Sequence, residues 1–243
     1  LPEVPAGTTS LDCSDNKLVT LPAFIGACTA LEELLAYKNE LKEVPKELGS
    51  LVNLKTLNLF NNKIKKLPNE LGALSNLDEV NVSGNKLMMI ADAPMANWSG
   101  VTNLQLSGNN LVRLGSLAAM VNLAELRLYD NNLEDMPKLA ESCKELTIIE
   151  MHKNRVATIA DDYFAATPAL TRFTINNNML TALPASILTP PLVFLQVRPP
   201  SPPTQTLAKA GNARRLTRHR ISQVQENAQA SLPGGAWPDS LET

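Results

Sequence analysis

An asparagine recurs along most of this 243-residue chain at nearly constant intervals, and this repetition constrains the fold more than any other feature. Each of these asparagines precedes an apolar residue by two positions, and successive intervals are 22 to 24 residues; the eight are Asn16, Asn39, Asn62, Asn85, Asn109, Asn131, Asn154 and Asn178. A fixed period of about 20 to 50 residues indicates a solenoid, in which each unit buries its apolar side only against its neighbours.

Within each unit the apolar positions predict a strand followed by a turn. In "LKTLNLFNNKIKKLP" (54–68), Leu57 and Leu59 alternate with polar residues, as in a half-buried strand. Prolines recur downstream and are predicted to stop the strands, because proline cannot donate to a ladder; they are Pro45, Pro68, Pro137 and Pro184. Leu48 and Leu51, three residues apart, are predicted to point inward from a short turn. The repeated asparagine is interpreted as structural, with its amide bonding the backbone of adjacent turns.

These segments resemble the leucine-rich repeat family, over about four-fifths of the chain. "LAELRLYDNNLEDMP" (123–137) carries the same pattern as 54–68, and "VPKELGSLVNL" (44–54) resembles the intracellular Ras-group class with its 23-residue repeat. The resemblance implies an α/β solenoid: a leucine-rich repeat horseshoe with a parallel concave β-sheet and short helices or 3-10 turns on the convex side. We number the units one to eight by their asparagines, from Asn16 to Asn178.

Composition divides the chain near residue 198. Residues 1–197 hold sixteen basic and twenty-one acidic side chains, a net charge of −5, and are predicted to form about eight repeats plus a degenerate closing strand in 191–197. Residues 198–243 hold six basic and three acidic side chains, a net +3, with six of the seventeen prolines. We expect 198–243 to be a Pro-rich linker followed by a basic, disordered tail. Thr217 and Ser222 follow arginines there, as basophilic kinases prefer.

The sequence offers little for catalysis or cofactors. It has no GxSxG, P-loop, HExxH or Gly-rich dinucleotide motif and only two histidines, so we expect no enzyme activity from this chain, no cofactor and no metal. Cys13, Cys28 and Cys143 fall on core positions and form no CxxC pair. Unpaired core thiols favour a reducing compartment, so a cytoplasmic location is expected. No apolar stretch approaches the ~20 residues of a transmembrane helix, and no membrane association is expected.

The concave face is the predicted site of function. The position after the last core residue of each strand reads Ser14, Tyr37, Phe60, Ser83, Ser107, Tyr129, His152 and Asn176. Aromatic residues of this kind are common anchors of protein interfaces, but they also stack across strands, and the two interpretations are compatible. The predicted protein-binding residues are Leu35, Tyr37, Phe60, Arg127, Tyr129, Glu150, His152 and Lys153.

Charges on this face are predicted to select the partner. Arg127 and Glu150 share a column, as do Asp130 and Lys153, and each pair is equally consistent with a salt bridge or a partner contact. The strand residues expected to face outward comprise nine acids and five bases, a net −4. This charge favours a protein partner with a basic surface and disfavours nucleic acid on the concave face.

The function predicted from the sequence is a protein–protein interaction or scaffold module of intracellular signalling, acting as a monomeric array. The alternative is a regulatory leucine-rich repeat region of a larger signalling enzyme, such as a metal-dependent Ser/Thr phosphatase or a cyclase. A third hypothesis, innate recognition, would require a signal peptide and paired cap cysteines. The basic tail cluster is open to three interpretations: a solvated linker, a contact with an acidic surface, or a nucleic-acid or membrane contact.

Overall fold

A computed structural model describes residues 4–5, 7–141 and 143–197. The eleven strands are β1 (Ser10–Asp12), β2 (Glu33–Leu35), β3 (Thr56–Asn58), β4 (Glu79–Asn81), β5 (Met89–Ile90), β6 (Asn103–Gln105), β7 (Arg113–Leu114), β8 (Glu125–Arg127), β9 (Ile148–Glu150), β10 (Arg172–Thr174) and β11 (Phe194–Gln196). The helical segments are 3-10 turns: η1 (Ala23–Ala27), η2 (Lys46–Ser50), η3 (Asn69–Ala73), η4 (Ala93–Met95), η5 (Tyr163–Ala166) and η6 (Ala185–Leu188). The tail residues Thr217 and Ser222 lie outside the described residues, as does the whole of 198–243.

Nine strands form one parallel sheet that follows chain order. The order is β1-β2-β3-β4-β6-β8-β9-β10-β11, and each strand pairs with its neighbour in the same register. Leu34 of β2 lies opposite Leu57 of β3, which lies opposite Val80 of β4. The sheet closes with β11, where Leu195 pairs with Phe173 of β10. A constant register means that equivalent positions of successive units form continuous columns.

The apolar columns form one core that runs the length of the solenoid. Leu54, Leu57, Leu59 and Ile64 of the third unit are all fully buried, as are their counterparts in the units on either side. Leu48 and Leu51 are also fully buried, which confirms that the convex turn points them inward. The core is therefore assembled between units, and no single unit contains it.

The repeated asparagines join each unit to the one before it. Asn62 accepts a hydrogen bond from the Leu41 N–H at 3.0 Å and donates to the carbonyl oxygens of Ala36 at 2.9 Å and Leu59 at 3.1 Å. The same arrangement recurs at Asn39, Asn85, Asn109, Asn131, Asn154 and Asn178, all of which are buried. Asn16 is exposed, and its only bonds to described residues are to carbonyls of its own unit, Cys13 and Ser14. The structural interpretation of these asparagines is confirmed.

One residue per unit, directly before the repeated asparagine, adopts a left-handed backbone. The eight φ values lie between +50° and +66°, at Asp15, Lys38, Asn61, Gly84, Gly108, Asp130, Lys153 and Asn177. Six of these residues are not glycine, and most non-glycine residues rarely visit this region. The turn that takes the chain out of the sheet therefore needs this conformation in every unit.

The prolines begin the convex turns and do not end the strands. Pro45, Pro68 and Pro184, together with Pro22, cap η2, η3, η6 and η1, with φ between −65° and −70°. Pro137 instead lies two residues before Leu139, which bridges to Leu117. β3 ends at Asn58, ten residues before Pro68, so the prediction that these prolines stop the strands is wrong. The physical reason is that a fixed φ near −65° suits the residue that enters a helical turn.

Successive convex turns stack closely through η1 to η4, and the stack is interrupted in units five and six. There the convex side instead carries a bridge between Leu117 and Leu139; the parallel pair β5–β7 joins units four and five between the sheet and the convex side, ahead of η4 in the chain. The turns resume at η5 and η6. A hollow of about 600 Å³ lies between the sixth and seventh units and is lined by residues that include Met136, Leu139 and Tyr163.

The three cysteines are buried free thiols, as predicted from their positions. Cys13 lies in the first unit's core column, and Cys28 and Cys143 lie at the ends of convex segments. Burial raises the pKa of the Cys13 and Cys143 thiols, which keeps them protonated and unreactive at neutral pH.

Candidate functional site

Three columns of side chains cover the concave face. The first holds Ser10, Glu33, Thr56, Glu79, Asn103, Glu125, Ile148, Arg172 and Phe194, and the second holds Asp12, Leu35, Asn58, Asn81, Gln105, Arg127, Glu150, Thr174 and Gln196. The third column comes two residues after each strand and is the aromatic-bearing column predicted from the sequence. Since the strands alternate, the residues between these columns point into the core.

An apolar group occupies the second and third units of this face. Phe60 is 38% exposed, and Leu35 and Tyr37 beside it are half-buried. The Lys38 ammonium lies 5.8 Å from the centroid of the Tyr37 ring. The Phe60 ring lies against the backbone of Gly84 in the next unit, where a Cβ would be 3.5 Å from Phe60 Cε2. These three residues are brought together by the parallel register of β2 and β3.

A second aromatic group lies in the sixth and seventh units. The rings of Tyr129 and His152 stack with centroids 4.6 Å apart and planes 5° from parallel, which confirms the cross-strand stacking interpretation for this pair. His152 Nδ1 lies 3.1 Å from Thr174 Oγ1 of the next strand. Burial lowers the pKa of His152, against the opposing effect of the nearby Glu150 carboxylate. A neutral imidazole therefore stacks on the tyrosine at neutral pH.

A chain of charged side chains runs beside the stacked pair. Arg127 contacts Glu125 at 2.6 Å and Glu150 at 3.4 Å, and Arg172 contacts Glu150 at 2.8 Å. The Arg172 guanidinium also lies over the Phe194 ring, 4.3 Å from its centroid. The Glu150 side chain is only 13% exposed, so the network holds the face rigid at this point.

The other expected charge pair does not form. Asp130 and Lys153 make no ion pair with each other in the described part of the chain, although they occupy equivalent positions. Both residues lie on the left-handed turn beyond the strand ladder, where φ is 58° and 56°. Lys153 is exposed next to His152 and remains available to a partner.

Sequence reasoning left three contributing residues out of the site: Thr174, Arg172 and Phe194. Thr174 bonds His152, and Arg172 bridges Glu150 to Phe194. The repeat register could have indicated that Arg172 and Phe194 are neighbours, since they occupy equivalent positions of the last two strands. The ring–guanidinium contact itself depends on side-chain conformation and had no signal in the sequence.

The centre of the face is polar and shallow. A depression of about 90 Å³ lies between the two aromatic groups and is lined by residues that include Asn58, Asn81, Asn103 and Gln105. Small-molecule sites usually enclose about 300 to 1,000 Å³, so this depression is too small for such a ligand. Among the described residues there is no group of three or more His, Cys, Asp or Glu side chains placed to hold a metal ion.

The comparisons with known proteins agree with this architecture. Residues 52–92 match the family model described as Leucine Rich repeats (2 copies). Vasorin from Mus musculus is 31% identical over 99 residues, which are 40% of this chain and 15% of Vasorin. The chain thus spans only a small part of this relative. Within the described residues, no helix has the length and apolar character that crossing a membrane requires.

Two solved structures are similar over most of the chain. A leucine-rich repeat protein of Leptospira interrogans superimposes with a TM-score of 0.63 and 26% identity, over 79% of this chain and 55% of that one. The functional domain of InlJ from Listeria monocytogenes, which includes a cysteine ladder, gives a TM-score of 0.55 and 22% identity, over 78% of this chain and 44% of that one. The repeated asparagines, the parallel sheet and these similarities show that the chain folds as a leucine-rich repeat solenoid.

Proposed function

We propose that this chain is a protein-interaction module that binds a protein partner on its concave face. The observation that carries the proposal is the placement of two aromatic groups, around Phe60 and around Tyr129–His152, in a single column of a rigid sheet. The fold does not require large rings at this surface, because Ser83 and Ser107 occupy the same column between them. A preformed surface also loses little conformational entropy when a partner binds.

The spacing of the two groups allows one extended segment or one protein surface to contact both. From the third to the sixth unit there are three strand intervals of ~4.8 Å, or about 14 Å. The predicted contacts are Leu35, Tyr37 and Phe60 at one end and Arg127, Tyr129, Glu150, His152 and Lys153 at the other. A segment lying across the strands would pass over the neutral amides at the centre.

The ion pairs favour a partner with a basic surface. Of the five concave bases, Lys38, Lys55, Arg127 and Arg172 are already paired with carboxylates of this chain. In the described part of the chain, Glu33 and Glu79 of the first column form no ion pair. Uncompensated negative charge therefore remains on the face and would steer a basic partner toward it.

We further propose that the module works in intracellular signalling, in a reducing compartment. The support is that Cys13, Cys28 and Cys143 are all buried free thiols that fill core positions. Disulfides are common in oxidising compartments, whereas cytosolic thiols are kept reduced. The three thiols here serve the core as small apolar groups.

The test compares concave and convex aromatic residues. Immobilised chain captures proteins from a cell extract, and each captured protein is then purified and its affinity is measured by titration calorimetry. Phe60→Ala with Tyr129→Ala should weaken binding by more than tenfold, since buried aromatic anchors are often worth ~2 kcal/mol or more. Phe24→Ala is the matched control, because Phe24 is 41% exposed on η1 of the convex side.

The outcomes separate the concave face from any other surface. Loss of binding in the double variant with full binding by Phe24→Ala supports the proposal. Equal affinity of the double variant and the unaltered chain for every purified partner contradicts it. Partner binding that strengthens at high salt would contradict the proposal of a basic partner, but not the proposal that the concave face binds a protein.

A further inference from the structure

One flank of the solenoid carries an ordered strip of exposed side chains that the concave site does not use. The strip consists of the residues three and four places after the repeated asparagine in units three to six, and all eight are exposed. We call it the flank strip; its residues are Lys65, Lys66, Met88, Met89, Val112, Arg113, Glu134 and Asp135.

Backbone hydrogen bonds between successive units hold the flank strip in place. In seven of the units, the N–H that follows the repeated asparagine donates to a carbonyl of the preceding unit at 2.8 to 2.9 Å, as Lys86 does to Ile64. In the strip itself, the Val112 N–H donates to the Met88 carbonyl at 3.0 Å, and Met89 pairs with Arg113. The bond after each asparagine therefore fixes the spacing of the units along the strip, and the bonds of Val112 and Met89 order its centre directly.

The centre of the flank strip is apolar and faces water. Met88 is 65% exposed, Met89 is 57% exposed and Val112 is 39% exposed, and they lie on adjacent units. The core does not require them, since Leu87 and Ile90 in the same segment are the buried residues. A contiguous exposed apolar patch with a polar rim is typical of a protein contact surface.

The charges at the two ends of the flank strip have opposite sign. Lys65 and Lys66 lie on the third-unit side of the apolar centre, and Glu134 and Asp135 lie on the sixth-unit side. None of these four takes part in an ion pair with another described residue. A strip that is basic at one end, apolar in the middle and acidic at the other is complementary to itself when reversed.

We propose that the flank strip is a homodimer interface whose occupant is a second copy of this chain. A two-fold axis between the fourth and fifth units, in the plane of the contact, reverses the order of units and sets each position opposite its equivalent. Lys65 then faces Glu134 of the partner subunit, and Lys66 faces Asp135 of the partner subunit. Met88 meets Val112 of the partner subunit at the centre.

The same axis creates no clash between like charges in the neighbouring units. Unit two faces unit seven, so Lys42 and Glu43 lie opposite Ala157 and Thr158 of the partner subunit. In the position after the repeated asparagine, Glu40 of unit two faces Arg155 of the partner subunit. Complementarity over four units, with no like-charge contact in the flanking units two and seven, favours a second copy over an unrelated partner.

The size of the surface predicts weak association. The six units in contact, at ~4.8 Å each, give a length of ~29 Å, and three residues of extended chain give a width of ~10 Å. The contact then buries about 600 Å² in total, below the ~1,200 Å² of stable complexes, so a Kd on the order of 0.1 mM is expected. This proposal departs from the monomeric array expected from the sequence, and it leaves the concave face free.

Sedimentation velocity of the full 243-residue chain between 10 µM and 1 mM tests the association. A concentration-dependent monomer–dimer equilibrium is expected. It should weaken from 50 mM to 500 mM NaCl, because exposed charge pairs are screened. A chain that stays monomeric at 1 mM in 50 mM NaCl overturns the proposal.

Reciprocal charge reversals test the geometry. Lys65→Glu with Lys66→Glu, and separately Glu134→Lys with Asp135→Lys, should each weaken dimerisation by more than tenfold, because each places like charges opposite one another. An equimolar mixture of the two variants should restore a heterodimer, since its facing charges are again opposite. Circular dichroism spectra check that both variants keep the fold of the unaltered chain.

Each alternative gives a different result. Dimerisation that neither variant weakens, or that mixing does not restore, overturns the flank contact in favour of another surface. Anionic vesicles of phosphatidylserine and phosphatidylcholine test a membrane role for the basic end. Vesicle binding that is lost with the lysine reversals and strengthened with the acidic reversals, by a chain that does not dimerise, overturns the proposal in favour of a lipid surface.

Discussion

Replacing Asn62 by alanine should destabilise the solenoid far more than its small change in volume suggests. Asn62 is 6% exposed and satisfies the Leu41 N–H at 3.0 Å while donating to three carbonyls, of which Ala36 and Leu59 are the nearer two. The Ala36 carbonyl keeps a bond from Asn39 at 3.3 Å, and the Leu59 carbonyl keeps one from Asn85 at 2.9 Å. The buried Leu41 N–H is therefore the group that is left without its partner.

The magnitude follows from these contacts. An unsatisfied buried N–H costs ~1 to 3 kcal/mol, and each lost hydrogen bond to a carbonyl costs ~0.5 to 1 kcal/mol here, which gives about 3 kcal/mol in total. Asn62→Asp should cost at least as much, because it retains the acceptor but places a carboxylate against two carbonyl oxygens. With a urea m value of ~2 kcal/mol/M, the midpoint should fall by ~1.5 M.

Asn53→Ala is the matched control. Asn53 is exposed and makes one hydrogen bond, from Nδ2 to the Thr29 carbonyl at 2.9 Å. Loss of that bond should cost about 0.5 to 1 kcal/mol, or a midpoint shift under ~0.5 M. The two variants change the same atoms, so the difference between them reports the buried N–H together with the additional carbonyl bonds of Asn62.

The assay is equilibrium urea unfolding followed by two probes, far-UV circular dichroism and tryptophan fluorescence. Trp98 is 1% exposed and its indole donates to the Leu71 carbonyl at 2.9 Å, so its emission reports the middle of the array. A Trp237→Phe background removes the second tryptophan. If Asn62→Ala shifts the midpoint no more than Asn53→Ala, the structural role argued for the repeated asparagines is refuted.

Two further predictions concern the convex turns and the stacked pair. Gly49→Ala should cost more than ~1 kcal/mol by thermal unfolding, because its Cβ would collide with the backbone of Glu70, whereas Gly7→Ala should change little since nothing lies within 4 Å of its Cβ. For His152, whose folded-state pKa is lowered by burial, the unfolded chain binds the proton more tightly. Stability should therefore fall as pH drops below ~6.5, more steeply in the unaltered chain than in His152→Gln; equal pH slopes would contradict this.

Much of the fold follows from the sequence because the solenoid repeats one local solution. The positions of Leu57, Leu59 and Asn62 within a unit fix the strand, its inward face and the bond to the previous unit. The role of the prolines was mistaken, since their chemistry suits both a strand stop and the start of a turn. Only the location of β3, which ends well before Pro68, separates these two roles.

The candidate site was less predictable, because it depends on which side chains meet. The Tyr129–His152 stack follows from register, but the Arg172–Phe194 contact requires a particular arginine rotamer. A second set of asparagines shows the same limit: Asn53, Asn76 and Asn122 each bond a carbonyl 23 or 24 residues earlier. Their period is visible in the sequence, but an exposed asparagine carries no sign of its partner.

The interruption of the convex stack has a consequence for curvature. A horseshoe bends because its outer side is spaced more widely than the ~4.8 Å of its inner strands. Stacked 3-10 turns supply that wider spacing over η1 to η4, but the Leu117–Leu139 bridge brings the outer side of units five and six close to strand spacing. The arc is therefore expected to straighten through the fifth and sixth units. A partner that fits the tightly bent first half will not fit the second, and the straighter stretch begins at the unit of Arg113, where two copies would meet along nearly parallel edges.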